Sequence, residues 1–257
     1  KSKPFSEFIS SYNKNTFDDF AQILLMEWCE EGDLYTYIKK NYKSMKVVHW
    51  AAIFFQLLFT LCKIYEKYPN FRHNDLKPNN ILVKKVKFDT DLNNTQENTI
   101  LYILDSKWNF VVPNIGINIL IADFDFASIK GIIENTKVNC KWAVSYNICS
   151  NKDHYYDIHF FFGQILSGNF FRPILEDPNS IPTEIKQFLE RVIPTRYRSE
   201  YKSSRKDNDS DENTRRNKLN KGILTDKGRI LVRESVTDPF RLLTEDPLFK
   251  PFRKKYT

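Results

Sequence analysis

The feature that most constrains the fold is the apolar stretch at residues 50–65, WAAIFFQLLFTLCKIY. Its apolar residues fall on almost every side of a helix, and a helix of this kind has to be enclosed by other elements. The stretch is shorter than the roughly 20 apolar residues that a bilayer span needs, and Gln56 and Thr60 interrupt it. We therefore predict a buried helix over about residues 46–68 and no transmembrane segment.

The composition is compatible with a core around such a helix. Hydrophobic residues make up 41% of the 257 residues and charged residues 28%, which excludes a disordered, collagen-like or low-complexity chain. The formal net charge of +7 favours an anionic partner, but it does not choose among nucleic acid, a membrane surface and nucleotide phosphates. The four cysteines form no CxxC pair, so we expect reduced thiols and neither a zinc site nor a disulfide framework.

Helices and short strands are predicted to share the rest of the chain. Apolar runs at residues 5–9 and 22–28 are typical of strands, and the second is continuous enough to be buried on both faces. Further strands are expected at 81–83, 117–124, 100–104 and 108–112. Helices are expected after Asp33, which has the side chain of an N-cap, and at 155–166, 183–192 and 238–252. The polar residues 199–222 are predicted to form a mobile insertion or loop.

Four side chains beside the predicted strands suggest chemistry on a phosphate group. Asp75 and Asn80 lie in a loop rich in Asn, Asp and Pro, and Asp123 ends the strand ILIADF. Carboxylate and amide oxygens are the ligands that Mg²⁺ takes, usually together with substrate phosphates. Lys77 can neutralise a transferring phosphoryl group while Asp75 orients the attacking hydroxyl. Taken singly, each of these residues also fits an ordinary polar turn.

These residues resemble the motifs of the protein kinase superfamily. The segment HNDLKPNN at residues 73–80 is similar to the kinase catalytic loop, with Asp, Lys and the second Asn in register. The sequence Asp-Phe-Asp at 123–125 resembles the metal-binding Asp-Phe-Gly. LLMEWC at 24–29 resembles the strand and hinge that hold adenine, with Met26 lining the back of that pocket. Asp157 resembles the aspartate of a buried helix that holds the backbone of the catalytic loop.

A closer resemblance is to the poxvirus-type serine/threonine kinases of large DNA viruses. It rests on DLKPNNIL, DFDFA, KWNFVVPN and YYDIHFFF. The resemblance implies an α+β, protein-kinase-like fold made mainly of the helical C-terminal lobe, with the hinge and the last strands of the N-terminal lobe. Residues 1–28 would be the remnant of the small lobe. Residues 29–257 would be the large lobe, with insertions at about 84–116 and 199–222.

The function implied by the resemblance is transfer of the ATP γ-phosphate to a Ser or Thr hydroxyl of a protein substrate, with no requirement for nucleic acid. Asp75 and Lys77 would be catalytic, and Asn80 and Asp123 would hold Mg²⁺. The residues expected at the ATP site are Met26, Glu27, Cys29, Asp33 and Leu82. The viral resemblance places the protein in the virion or in the cytoplasm of an infected host cell.

Several departures from the kinase pattern keep other functions open. The seven glycines form no Gly-x-Gly-x-x-Gly loop, and the usual phosphate-binding lysine and its Glu partner would lie upstream of Lys1. A catalytically inactive pseudokinase or scaffold is therefore the alternative, and a small-molecule kinase such as an aminoglycoside phosphotransferase is a third. Asn74 replaces the arginine that grips a phosphorylated activation loop, so we predict no dependence on such phosphorylation. His73 is expected to be a packed core histidine.

Overall fold

The computed structural model describes residues 3–14, 26–86, 98–167, 171, 176–177, 179–198, 222–225, 228–231 and 236–254. These residues form a mixed α and β structure. The helices are α1 (Lys3–Asn13), α2 (Leu34–Asn41), α3 (Val47–Lys67), α4 (Lys141–Ser145), α5 (His154–Leu166), α6 (Thr183–Val192) and α7 (Pro239–Glu245). The strands are β1 (Phe71–Arg72), β2 (Ile81–Lys85), β3 (Thr99–Ile103), β4 (Asn109–Pro113), β5 (Ile117–Ile121) and β6 (Ser128–Ile129).

Helix α3 is the centre of the core, as its apolar sequence predicts. Phe54 is completely buried, and its ring stacks on Phe188 of α6 with 5.6 Å between the centroids. Phe162 of α5 meets the same ring edge-on at 5.0 Å. By length and composition alone α3 could cross a membrane, but 56% of its most apolar window is buried, and the core helix of a soluble protein passes the same test. Helices α5 and α6, together with α7 and β5, therefore supply the enclosure that an all-round apolar helix requires.

The one glutamine within the apolar stretch has a structural purpose. The Gln56 amide donates to the carbonyl of Ile117 at 3.1 Å, and its side-chain oxygen accepts from the Ile119 backbone N–H at 2.9 Å. A buried amide is stable only when its polar atoms find such partners. Gln56 thus fixes strand β5 against the core helix.

Three antiparallel strand pairs organise the loops that follow them. In one pair β1 lies beside β6, and in another β2 lies beside β5 with Leu82 opposite Leu120. The segment 73–80 leaves β1 and enters β2, while the segment 122–127 leaves β5 and enters β6. The β1–β6 pair lies at one end of the two segments and the β2–β5 pair at the other. The two segments are therefore held side by side. The third pair, β3 with β4, is the hairpin predicted at 100–112.

Most predicted elements are confirmed, and three are corrected. The predicted helices up to residue 192 and the strands after residue 71 are present with small shifts of their ends. The helix predicted at 238–252 is divided into α7 and a 3₁₀ helix over Pro247–Phe252, with Asp246 between them. Residues 5–9, predicted as a strand, belong to helix α1. Phe5, Ile9 and Tyr12 recur at helical spacing, and a five-residue window is too short to show that period.

The strand predicted at 22–28 is also wrong where the structure describes it. Residues 26–28 form no strand, and Met26 and Trp28 are 62% and 80% exposed. Burial is expected because the apolar run is continuous, but neither Met26 nor Trp28 is covered by the described part of the chain. Residues 22–25 lie outside the described residues, as do 199–221, where a mobile insertion is predicted.

Candidate active site

A buried carboxylate holds the beginning of the loop 73–80. Asp157 of α5 is completely buried, and its two oxygens accept the backbone N–H groups of His73 at 2.8 Å and Asn74 at 2.9 Å. Charged acceptors make hydrogen bonds about twice as strong as neutral ones. Asp153 caps the first turn of α5 through the N–H groups of Tyr155 and Tyr156. The helix start therefore positions the carboxylate beneath the loop, as the sequence predicted for Asp157.

His73 joins the two loops, and it is the core histidine that the sequence predicts. It has no exposed surface, and its Nε2 lies 3.0 Å from the carbonyl oxygen of Ala122. Its ring also packs on Phe124, with 5.2 Å between the ring centroids. Since Ala122 precedes Asp123, His73 sets the distance between the catalytic-loop segment and the predicted metal ligand.

Asp75, Lys77 and Asn80 form one hydrogen-bonded group. The Lys77 ammonium lies 2.6 Å from Asp75 Oδ2, and the Asn80 amide nitrogen donates to the same oxygen at 3.0 Å. The Asn80 nitrogen also donates to the Asp75 backbone carbonyl at 2.9 Å. The structure thus brings together the three residues that the sequence selected in this loop.

Asp123 lies next to this group, and its carboxylate has no partner among the residues that the structure describes. The backbone N–H of Ala122 donates to the carbonyl of Asn80 at 2.9 Å, which joins the two segments one residue before Asp123. Asp123 itself has a left-handed backbone with φ 60°. A non-glycine residue in that region is uncommon and is often found at functional sites.

The oxygen atoms at this junction suit a magnesium ion. Because both amide hydrogen bonds of Asn80 use its nitrogen, its Oδ1 has no hydrogen-bond partner among the described residues. The Asp123 carboxylate is exposed and likewise makes no hydrogen bond within the described part of the chain. Magnesium is commonly held by one or two protein oxygens together with substrate phosphates. The residues present therefore fit the cation that the sequence analysis assigned to them.

Arg229 is a residue of this site that the sequence analysis missed. Its guanidinium group donates to Asp75 Oδ1 at 2.5 Å and to the Tyr156 hydroxyl at 2.9 Å. It also donates to the backbone carbonyl of Asn74 and lies over the ring of Phe160 at 4.0 Å. Arg229 is 154 residues from Asp75 along the chain and belongs to no recognisable motif. Only the fold brings the two together.

Asn74 holds the segment between Asp123 and α5. Its side-chain nitrogen donates to the carbonyls of Phe126 and Cys149, and its side-chain oxygen accepts from the Cys149 N–H. These bonds fasten the beginning and the end of the segment to the catalytic-loop region without a phosphate. Within the segment, Asp125 forms an ion pair with Lys137. Asp125, which stands where the Asp-Phe-Gly motif has its glycine, is therefore paired with Lys137.

The residues predicted for the ATP site lie along the edge formed by 26–33 and β2. The N–H of Glu31 and the carbonyl of Gly32 both bond to the backbone of Val83, which attaches this stretch to β2. Cys29 is buried. Leu82 lies opposite Leu120 on the outward face of the β2–β5 pair, since Ile81 and Val83 face the core.

The other predicted ATP-site residues are placed at the surface or engaged in local contacts. Met26 is exposed, and Glu27 forms an exposed ion pair with Lys84 at 2.5 Å, which raises the pKa of Lys84. Asp33 caps α2 by accepting the N–H and hydroxyl of Thr36. Its role as an N-cap is confirmed, whereas the role of all five residues in binding ATP stays a prediction.

An open cavity of about 360 Å³ adjoins the group formed by Asp75 and Lys77. Asp75, Lys77 and Arg229 form its polar wall, while Phe126 and Trp142 contribute aromatic surface. Asp75 is only 7% exposed, and it lines this cavity. The cavity is therefore a route by which a side chain of another molecule can reach the Asp75 carboxylate.

Comparison with known proteins agrees with the geometry of the site. Residues 6–205 match the family model described as poxvirus serine/threonine protein kinase. The protein named "Putative serine/threonine-protein kinase R400" of Acanthamoeba polyphaga mimivirus is 43% identical over 253 residues, which cover 98% of this chain and 49% of that protein. "Serine/threonine-protein kinase 2" of Variola virus and that of Vaccinia virus (strain Western Reserve) are each 34% identical over 154 residues, 59% of this chain and 30% of those proteins.

These matches establish a kinase class and, within it, one family. The chain belongs to the poxvirus serine/threonine protein kinase family. It spans about half the length of the mimivirus relative and about a third of the poxvirus relatives. These relatives come from viruses, which agrees with the viral resemblance of the sequence.

Proposed function

We propose that the protein to which this chain belongs is a serine/threonine protein kinase that transfers the γ-phosphate of ATP to a protein hydroxyl. The observation that carries the proposal is the Asp75 carboxylate, which is held by Lys77 and Asn80 and faces an open cavity. A buried turn that served only structure would not need a lysine, an amide and an aspartate converging beside such a cavity. Membership of the family supports the same reaction.

In the proposed reaction, Asp75 orients the substrate hydroxyl and accepts its proton as the oxygen attacks the γ-phosphorus. The bond between that phosphorus and the β,γ-bridging oxygen breaks, and ADP leaves. Lys77, which is one-third exposed, has a mobile ammonium that can turn from Asp75 toward the transferring phosphoryl group. Positioning and charge neutralisation supply most of the rate enhancement in phosphoryl transfer, since little covalent chemistry falls to the protein.

Two groups absent from the protein itself complete the proposal. Asn80 Oδ1 and the Asp123 carboxylate would hold Mg²⁺, which neutralises charge on the phosphates when bound. ATP would lie against the outward face of Leu82, with Met26, Glu27, Cys29 and Asp33 along the adjoining edge. In this arrangement residues 29–257 correspond to the large lobe, and residues 1–28 to the end of the small lobe.

The test is phosphoryl transfer by the full-length protein, followed by identification of the phosphorylated amino acid. Asp75→Asn removes the proton acceptor and keeps its size, so transfer should fall by about 10²–10⁴-fold. Asp105→Asn is the matched control, because Asp105 caps the turn between β3 and β4 and lies outside the site. Equal rates in wild type and Asp75→Asn would refute the proposal.

The alternative proposal is a scaffold that binds a partner and performs no catalysis. It predicts no transfer by the wild-type protein in any condition that allows ATP and Mg²⁺ to bind. Phosphoserine or phosphothreonine in the product, dependent on Asp75, would exclude it. For an active kinase of this family, we propose the virion or the cytoplasm of an infected cell as the place of action.

A further inference from the structure

Arg229 contacts the carboxylate that the proposed reaction uses, but from a distant part of the chain. It is 8% exposed, and its Nη2 donates to Asp75 Oδ1 at 2.5 Å. Lys77 and Asn80 bond to the other oxygen, Oδ2. Both oxygens of the carboxylate are thus held by separate residues, which fixes the rotation of the carboxylate plane.

The local structure around Arg229 shows how it reaches the site. Thr225 and Arg229 pair through two hydrogen bonds, one between backbone atoms at 2.8 Å and one from the Arg229 N–H to the Thr225 hydroxyl at 3.0 Å. Gly228, directly before Arg229, takes a positive φ of 72°, a conformation that glycine adopts without strain. The next residue, Ile230, is buried, and its carbonyl accepts from the Asn147 amide at 2.8 Å. These hydrogen bonds therefore present Arg229 to Asp75.

Arg229 is anchored as a fixed part of the site. Its guanidinium group bonds to the Asn74 carbonyl and the Tyr156 hydroxyl and lies over Phe160, in addition to its bond with Asp75. The alternative is that Arg229 is an inhibitory side chain that blocks the cavity. Such a side chain would have to leave the cavity before a substrate could bind. Four anchoring contacts and almost complete burial make such departure costly.

The hydrogen bonds leave a single position for the substrate hydroxyl on Asp75. An ionised carboxylate offers about four acceptor positions, two on each oxygen. Lys77 and Asn80 use two on Oδ2, and Arg229 uses one on Oδ1. The remaining position is on Oδ1, the oxygen that Arg229 holds. The direction from which a hydroxyl can bind therefore depends on Arg229.

We propose that Arg229 is a positioning residue for phosphoryl transfer: it fixes Asp75 Oδ1 so that one acceptor position faces the substrate hydroxyl. The inference rests on the proposed kinase function. Misplacement of a reacting group by about 1 Å can cost about 100-fold in rate. Loss of the guanidinium should therefore lower kcat by about 10- to 100-fold while the KM for ATP stays nearly constant, because Arg229 does not border the edge proposed for ATP.

The experiment measures kcat, the KM for ATP and thermal unfolding in full-length wild type, Arg229→Lys and Arg229→Ala. Arg229→Lys should keep part of the activity, since it restores a cation without the planar pair of donors. Added guanidinium ion should raise the kcat of Arg229→Ala toward that of wild type. It should not rescue Asp75→Asn, in which the acceptor itself is altered.

The matched control is Arg191→Ala. Arg191 also pairs with a buried carboxylate, Asp246, through two bonds of 2.8 Å, but it lies outside the cavity. Its loss should lower the unfolding temperature and leave kcat unchanged. The proposal is overturned if kcat in both Arg229 variants equals or exceeds that of wild type. It is also overturned if added guanidinium ion does not raise the kcat of Arg229→Ala. Absence of transfer by wild type would instead refute the kinase function.

Discussion

The region around Asp75 and the edge at 26–33 differ in how they are held. Buried groups on α5 and Arg229 fix the Asp75 region from several sides, with Asp157 and His73 completely buried. The edge at 26–33 carries exposed side chains, and its charged contacts, such as Glu27 with Lys84, lie at the surface. The residues assigned to phosphoryl transfer are thus already arranged, while two of the side chains assigned to ATP, Met26 and Glu27, are exposed.

This difference agrees with separate proposed roles for the two regions, phosphoryl transfer near Asp75 and nucleotide binding at the edge 26–33. Preorganised groups are most valuable where charge develops during reaction, because they need no rearrangement at that moment. A nucleotide edge can instead be completed by further residues or by the nucleotide itself. The contrast predicts that substitutions near Asp75 act strongly and that substitutions of surface pairs near residue 27 act weakly.

The largest effect is expected for Asp123→Ala in the full-length protein. The change removes the exposed carboxylate proposed to bind Mg²⁺, so phosphoryl transfer should fall by several orders of magnitude. Transfer of phosphate from ATP to protein is the measurement. Asp125→Ala is the control, since Asp125 lies two residues away and pairs with Lys137. A near-normal rate in Asp123→Ala would remove this residue from the site.

A large loss of stability is expected for Asp157→Ala. Two buried N–H groups, those of His73 and Asn74, would lose their acceptor. Each unsatisfied buried donor costs about 1–3 kcal/mol, so the free energy of unfolding should fall by about 2–6 kcal/mol. Denaturant unfolding measures the change, and Asp157→Asn, which retains one acceptor oxygen, should lose less. Equal stability in all three proteins would contradict the anchoring role.

His159 on α5 should make the free energy of unfolding depend on pH. Burial lowers its pKa to about 4, and in the unfolded chain the ordinary value is 6.5. Between those values the unfolded chain binds more protons, so stability is complete above pH 6.5 and falls as the pH drops toward 4. The loss should reach about 3 kcal/mol near pH 4.

Unfolding measured from pH 7.5 to 4 tests this dependence. His159→Gln keeps a donor for the Tyr197 carbonyl, which lies 2.7 Å from His159 Nε2, and should flatten the curve. Burial raises the pKa of Asp153, so the contribution of Asp153 to the free energy of unfolding increases as the pH falls. This change opposes the effect of His159. Comparison of the two proteins at each pH isolates the histidine. The same slope in both would show that His159 is not buried in its neutral form.

A smaller and more local effect is expected for Asn74→Ala. The substitution removes the bonds to Phe126 and Cys149 that fasten the segment between Asp123 and α5. Stability should fall by about 1–2 kcal/mol, and hydrogen exchange at the N–H of Cys149 should accelerate. Unchanged exchange at Cys149 would mean that another contact holds the segment.

The smallest effect is expected for Glu27→Gln. Its partner Lys84 and Glu27 itself are both exposed, and surface ion pairs contribute little. The unfolding temperature should not change measurably in low or moderate salt. A clear loss of stability would show that this edge is held as firmly as the Asp75 region.

Much of the fold could be predicted because local patterns agree with the final packing. The all-round apolar residues of α3 require burial, and Asp33 and Thr183 mark helix starts that the structure confirms. The error at residues 5–9 arose where a short apolar run fits two periods. The error at 26–28 arose because apolar composition alone does not show which side chains find neighbours.

The candidate site could be predicted in part for a related reason. Asp75, Lys77 and Asn80 lie within six residues of one another, so their spacing carries information about geometry. Arg229 lies far along the chain, and an arginine that belongs to no motif is ordinarily solvated. Its proximity to Asp75 depends on the positions of α5 and of the hydrogen-bonded residues Thr225 and Arg229, which no local pattern specifies.

The most direct test of the contrast between the two regions is calorimetry of ATP with and without Mg²⁺, on this chain and on the full-length protein. The account predicts Mg²⁺-dependent binding that is tighter in the full-length protein, is lost in Asp123→Ala and is retained in Asp125→Ala. Binding that is indifferent to Mg²⁺ and to Asp123 would contradict the assignment of a metal-assisted phosphoryl-transfer site beside Asp75.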